Sequence, residues 1–133
     1  MSILFTWPIN FVSNVYDTYT TAFQYPVVPT SDISGKRVIS AMTLSIYSDN
    51  ICFYSVSIVP EGITLDQIPN STSYNWKFSS STLAAGIFGM FPTVIQIPGP
   101  IELNSKDKIV LRVRSPTGYA EVYAIFTSHI TLN

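Results

Sequence analysis

Apolar and polar residues alternate with a period of two through most of this chain, and clusters of Pro, Gly, Asn and Asp cut the runs at intervals of about ten residues. In an extended strand successive side chains point to opposite faces, so this pattern describes half-buried β-strands. Between Val38 and Ile46 the residues Val38, Met42, Leu44 and Ile46 fall on one face, with Ser40 the exception. In SYNWKFS the aromatics Tyr74, Trp76 and Phe78 alternate with Ser73, Asn75, Lys77 and Ser79. Near the C-terminus Ala120, Val122, Ala124, Phe126, Ile130 and Leu132 share a face that Ser128 interrupts, and the opposite face, from Tyr119 to Thr131, is mixed.

The turn signals are YPVVPTSDISG, YSDN, VPEG, IPNSTS, IPGP, NSKD and SPTG, in which Pro and Gly set backbone angles that strands do not use. SPTG suits a tight hairpin, with Pro116 fixing its own φ and Gly118 free to take a positive one. Strands are expected at 3–6, 14–25, 36–47, 51–59, 73–79, 93–97, 101–103, 108–115 and 119–131. In STLAAGIFGMF, Ser81 or Thr82 offers a helix cap, but two glycines and Pro92 argue against a long helix. The surrounding stretch, Leu83 to Ile95, is the most apolar in the chain and is too short to span a bilayer. It reads as core or a buried connection; its functional alternative is a subunit-contact or membrane-active loop.

About eight strands without crossover helices imply an all-β chain, antiparallel sheets packed face to face, with jelly-roll or another Greek-key topology. The 133 residues suit a single domain, 1–133, that buries roughly 65 to 70 per cent of its unfolded surface. Only 11% of residues are charged, against an ordinary share of about 25%. A surface this short of charge is made of Ser, Thr, Asn and Tyr or is covered by neighbours. The net charge of −1 gives no long-range field to gather nucleic acid or anionic membrane. The N-terminus, MSILFTWPINF, has no basic start and carries Pro8, so no signal peptide is expected and the chain reads as made in the cytoplasm.

Catalytic chemistry finds little foothold, and the chain is expected not to be an enzyme. His129, the single histidine, has no nucleophile signature to serve. One His and one Cys do not supply the four ligands of a zinc site, and nothing in the sequence calls for a cofactor. Cys52 shares a face with Tyr54, Val56 and Ile58 and reads as a core thiol. The carboxylates are scattered, mostly in or beside turns, without the facing pair that glycoside hydrolysis needs.

Two groups of residues remain as candidate sites. Lys108, Arg112 and Arg114 share one side of a strand, with Val110, opposite Ile109, Leu111 and Val113, and Lys106 lies in the preceding turn. Such a row would meet a phosphate backbone, but Asp107 and Glu121, across the SPTG hairpin, stand ready to pair with it. The expected role is a charged face toward solvent or a neighbouring subunit. The second group is aromatic and apolar: Trp7 and Phe11 in an irregular N-terminal segment that looks exposed or swapped onto a neighbour, and Phe88, Met90 and Phe91 in the loop 80–93. These are the expected subunit contacts. Exposed Trp7 and the eight tyrosines also keep open a carbohydrate-binding sandwich.

The order of segments is also informative. KRVISAMTLSIYSDNICFYSVSIVPEG, then IELNSKDKIVLRVRS and a final GYAEVYAIFTSHITLN, resembles the single jelly-roll structural proteins of small icosahedral viruses. The likeness is carried by Arg37 and Val38 entering a strand, by IVPEG from Ile58 to Gly62 closing one, and by the KDK turn that opens the strand from Lys106 to Leu111. It implies a capsid, minor capsid or decoration subunit, located in the virion. Such a subunit contacts copies of itself or other virion proteins in a symmetric oligomer. Members that package nucleic acid usually carry a long basic N-terminal arm, whereas residues 1 to 35 here contain no Lys or Arg. Genome binding by an arm is therefore not expected.

Overall fold

The computed structural model describes residues 2–14, 16–25, 37–59, 82–103 and 107–132. These hold β1 (Ser2–Ser13), β2 (Thr20–Tyr25), β3 (Arg37–Ile39), β4 (Met42–Ser48) and β5 (Cys52–Val59), followed by β6 (Thr82–Phe88), β7 (Thr93–Ile97), β8 (Ile101–Leu103), β9 (Lys108–Arg114) and β10 (Ala120–Leu132). All the strand pairs are antiparallel and they form two sheets, as a β-sandwich requires.

The first sheet is organised around β10. β1 runs along one edge of it, from Ser2 opposite Thr131 to Ser13 opposite Ala120. On the other edge β4 takes Val122 to Thr127 and β3 takes Ile130 to Leu132. β7 then pairs with β4, and β8 with β3. Thus β3 with β4, and β7 with β8, each behave as one strand interrupted by a kink. The second sheet has the order β2, β9, β5, β6.

The kink between β3 and β4 explains a phase error in the sequence pattern. Ile39 and Met42 are both buried although three positions apart, and Val38, expected on the same face as Met42, is only half-buried. Ser40 secures the kink to β10: its N–H and its hydroxyl both donate to the carbonyl of His129, at 3.0 and 3.1 Å. Buried Ser128, the polar interruption on the inner face of β10, places its hydroxyl 3.3 Å from the carbonyl of Ser40. A buried hydroxyl without a partner would be costly, so the interruption serves the kink.

The core lies between the sheets. Ile9, Leu44, Ile46, Val122 and Phe126 of the first sheet face Phe23, Val56, Leu111 and Val113 of the second. The Phe23 and Phe126 rings meet across the gap at 5.4 Å. Burial of such side chains contributes on the order of 1.5 to 3 kcal/mol each. Cys52 is fully buried in this core, as its place in the alternation requires.

Four expectations change. The N-terminal strand runs to Ser13 rather than Phe5 or Thr6, and it pairs with β10 in register along its whole length. Pro8 is tolerated because β1 pairs on only one side among the described residues. The second strand starts at Thr20, after a turn, and not at residue 14. STLAAGIFGMF yields no helix from Thr82 onward: Thr82 to Phe88 is strand β6, because pairing with β5 supplies the hydrogen bonds that local capping would have had to provide. Finally, β9 and β10 are not a hairpin. The SPTG turn, with Gly118 at φ 95° and its N–H donating to the Ser115 carbonyl, carries the chain from one sheet to the other. The expected strand 73–79 lies outside the described residues. Among the described residues no helix is long and apolar enough to cross a membrane.

Candidate functional site

The basic row on β9 is largely covered, with Arg112 buried and Lys108 and Arg114 half-buried. Ile109, Leu111 and Val113 face the core as expected, but the opposite side is covered as well: Val110 is 1% exposed and Arg112 6%. Ser55 and Ser57, beside them on β5, are buried too. Arg112 Nη2 donates to the carbonyl of Tyr19 at 3.1 Å. Burial pulls its pKa down from the ordinary value, since a charge that loses water is disfavoured. Arg114 Nη1 donates to Asp17 Oδ1 at 3.0 Å, and its guanidinium lies 4.2 Å from the centre of the Phe53 ring. Asp17, held at φ 48° in the β1–β2 turn, is therefore the partner that Glu121 was expected to be. Glu121 lies in the other sheet, because SPTG is a crossing and not a hairpin. Lys108 is half-buried, and Lys106 lies outside the described residues. The two arginines brace the sandwich and are not presented as a row to a phosphate backbone.

Apart from Ile87 on β6, in line with Phe53 and Arg114, most of the exposed apolar side chains gather elsewhere. One group occupies the end of the sandwich where four connections meet: β1–β2, β4–β5, β6–β7 and β9–β10. The connections are tied together by Asn50 Nδ2 donating to Thr117 Oγ1 at 2.9 Å, by the Ser48 N–H donating to the Gly89 carbonyl at 2.9 Å, and by a bridge from Tyr16 to Ser115. From this end project Tyr16, Ile51, Met90, Tyr119 and Phe91, the last 82% exposed. Tyr119 donates its hydroxyl to Glu121 at 3.1 Å, and that bond, with the carboxylate's charge, raises the pKa of the phenol.

The second group covers the outer face of the first sheet, where the strand register sets its rows. Pro8, Ile125, Ser45 and Val94 lie side by side across four strands, with Ile125 and Val94 exposed. The next row toward the β9–β10 turn holds Asn10, Tyr123 and Tyr47, and the two tyrosine rings stack at 5.3 Å. On the other side the row is Thr6, Thr127, Thr43 and Gln96. Beyond these rows Val12 lies beside Glu121 at one end and Leu4 beside His129 at the other. A shallow depression of about 280 Å³ opens by the tyrosines, lined by Pro8, Asn10, Ser45 and Ile125 among others. The charge of Glu121 is the largest influence on Tyr123 and raises its pKa.

The five expected contact residues separate in space. Met90 and Phe91 are exposed at the end of the sandwich. Trp7 is 40% exposed on edge strand β1, on the side that its partner Phe126 directs inward, and Phe11 is half-buried against the core. Phe88 is a core residue, 3% exposed, because it falls in phase with Cys52 on the inner side of the second sheet. Tyr47, Tyr123, Ile125 and Val94 were not singled out from the sequence. Their signal was present in the phase: Tyr47 alternates with Leu44 and Ile46, and Tyr123 and Ile125 belong to the face read as mixed. Among the described residues no group of three or more His, Cys, Asp or Glu is placed to hold a metal ion. Comparison with protein-family models and with curated proteins finds no match for this chain.

Proposed function

We propose that the chain is a non-enzymatic structural subunit of a virus particle, a jelly-roll capsid or capsid-associated protein that works through contacts with other subunits. The observation that carries this reading is the strand order. Among the described residues the ten segments reduce to eight strands when β3 is counted with β4 and β7 with β8. The sheets then read first, eighth, third, sixth and second, seventh, fourth, fifth. The paired strands one and eight, two and seven, three and six, four and five are the rungs of a single long hairpin rolled over two sheets. That winding supports reading the chain as a jelly roll, an architecture used by viral capsid and lectin domains. Because a fold hosts many functions, the role rests on the surface. An apolar end and an apolar sheet face, on a chain with 11% charged residues, fit a protein that is covered by neighbours.

Electron microscopy and mass measurement on the protein expressed alone test the proposal. Shells or discrete oligomers are expected, and a strictly monomeric protein at high concentration would count heavily against it. A second reading, a carbohydrate-binding sandwich, is favoured by one feature: the exposed Tyr47 and Tyr123 rings beside a depression that also presents Asn10 and Ser45. A glycan array distinguishes it, with Tyr123→Ala expected to abolish any binding found.

A further inference from the structure

We infer that the outer face of the first sheet is an isologous interface, on which a second copy of this chain packs with its β10 running antiparallel over the first. The inference rests on the reading of the chain as an assembling subunit and names the surface that assembles. It follows from the symmetry of the rows. An isologous contact requires a patch that is complementary to itself under a two-fold rotation. An axis lying along the row Pro8, Ile125, Ser45 and Val94, across the strands, maps that row onto itself, so apolar Ile125 meets Ile125 and Val94 meets Val94. The same rotation lays the bulky row of Tyr123 and Tyr47 over the small side chains of Thr127 and Thr43. It brings Glu121 onto His129, an acceptor onto an imidazole N–H donor, and Val12 onto Leu4. The other aligned packing, with the axis along the strands, would set Glu121 against Glu121 and tyrosine against tyrosine. Both charge and size therefore favour the antiparallel arrangement.

The face is small. The eight residue steps from Glu121 to His129 on β10 and four strands of width make roughly 27 by 19 Å, on the order of 500 Å² per copy. Two such faces reach only the lower bound of stable interfaces, about 1,000 Å² in total. The contact is therefore expected to form and dissociate with concentration, and to be reinforced where other contacts hold the subunits together.

Sedimentation velocity of the full chain over a concentration series tests the inference, with circular dichroism as the check on folding. Ile125→Arg puts an unpaired charge at the centre of the two-fold and is expected to weaken self-association at least about 100-fold. Glu121→Lys is expected to weaken it about tenfold, and adding His129→Glu to restore it, because the exchange recreates the opposite pair across the axis. That rescue is independent of any effect of Ile125→Arg on folding. Self-association unchanged by Ile125→Arg, or a double variant no better than Glu121→Lys, overturns the inference. Association that only Phe91→Asp disrupts also overturns it and leaves the subunit reading in place. A chain that stays monomeric throughout takes down both.

Discussion

Replacing Gly99 by Ala tests whether the two kinks of the first sheet are packed on each other. A Cβ at Gly99 would lie 2.7 Å from the carbonyl carbon of Ser40, 2.9 Å from the Ala41 nitrogen and 2.9 Å from the Ile39 oxygen. All three are backbone atoms, so no side-chain rotation relieves the overlap. Ser40 is in turn held by its N–H bond to the His129 carbonyl at 3.0 Å, so retreat of the β3–β4 kink pulls on β10. Overpacking costs about 1 to 3 kcal/mol, and losing one backbone hydrogen bond about 1 kcal/mol more, which gives about 2 to 4 kcal/mol. For 133 residues the unfolding entropy is about 0.28 kcal/mol/K, so the Tm should fall by about 7 to 14 °C. The assay is calorimetric or circular-dichroism melting beside a Gly89→Ala control. At Gly89 a new Cβ would meet only Ile51 Cγ1, at an ordinary 3.9 Å, and a shift within about 2 °C is expected. A Gly99→Ala protein that melts within about 2 °C of the parent would refute the contact between the kinks.

Three further outcomes follow from single side chains. Asp17→Ala loses the partly exposed ion pair with Arg114, at most about 1 kcal/mol, and puts a Cβ residue without a polar side chain at φ 48°, about 1 kcal/mol more. Asp17→Gly should therefore be the milder change by urea midpoint, and the reverse order would sink this account of the turn. The Cys52 thiol is fully buried and burial raises its pKa, so a thiol reagent should label the native protein no faster than it unfolds. With the folded pKa raised, its contribution to stability is complete below the unfolded value of about 9.0 and is lost as the pH rises through the folded one. Cys52→Ala should flatten that alkaline fall, and an equally steep fall would contradict the burial. Glu121→Gln removes the charge that raises the Tyr119 and Tyr123 pKa values, so ultraviolet titration should show phenols ionising at lower pH. An unchanged tyrosine titration would place the carboxylate elsewhere.

Period two reports which face a side chain takes and says nothing about which sheet its strand joins. The inner faces of β4 and β10, the buried Cys52 and the positive φ of Gly118 were therefore legible, since each depends on local phase or local backbone geometry. The partner of Arg114 was not. Reading SPTG as a hairpin put Glu121 opposite the basic row, whereas the turn crosses between sheets and the β1–β2 turn delivers Asp17 from 97 residues away. The length of β1 was hidden for a related reason, because irregular spacing around Pro8 weakens the alternation although pairing with β10 continues across it. The adjacency of Tyr47 and Tyr123 needs the β4–β10 register, which neither strand states alone. The Tyr74 to Phe78 stripe and Lys106 fall outside the described residues.

The two outer faces of the sandwich differ in a way that bears on assembly. On the second sheet the outward positions Ser55, Ser57, Val110 and Arg112 are already buried within the chain, and Ile87 on edge strand β6 is the large apolar side chain left exposed there among the described residues. Nucleic acid or a neighbour would have to draw Arg112 away from the Tyr19 carbonyl to use it, at the cost of leaving polar groups unpaired in the interior. The first sheet keeps Tyr47, Val94, Tyr123 and Ile125 in solvent with no such obligation. Covering apolar groups that are already exposed needs no internal bond to break, whereas recruiting the arginines does. If the chain is the assembling subunit proposed above, association should therefore proceed through the first sheet and the adjoining end with Phe91. Charge changes at Arg112 should then appear first as lost stability, ahead of any change in what the protein binds.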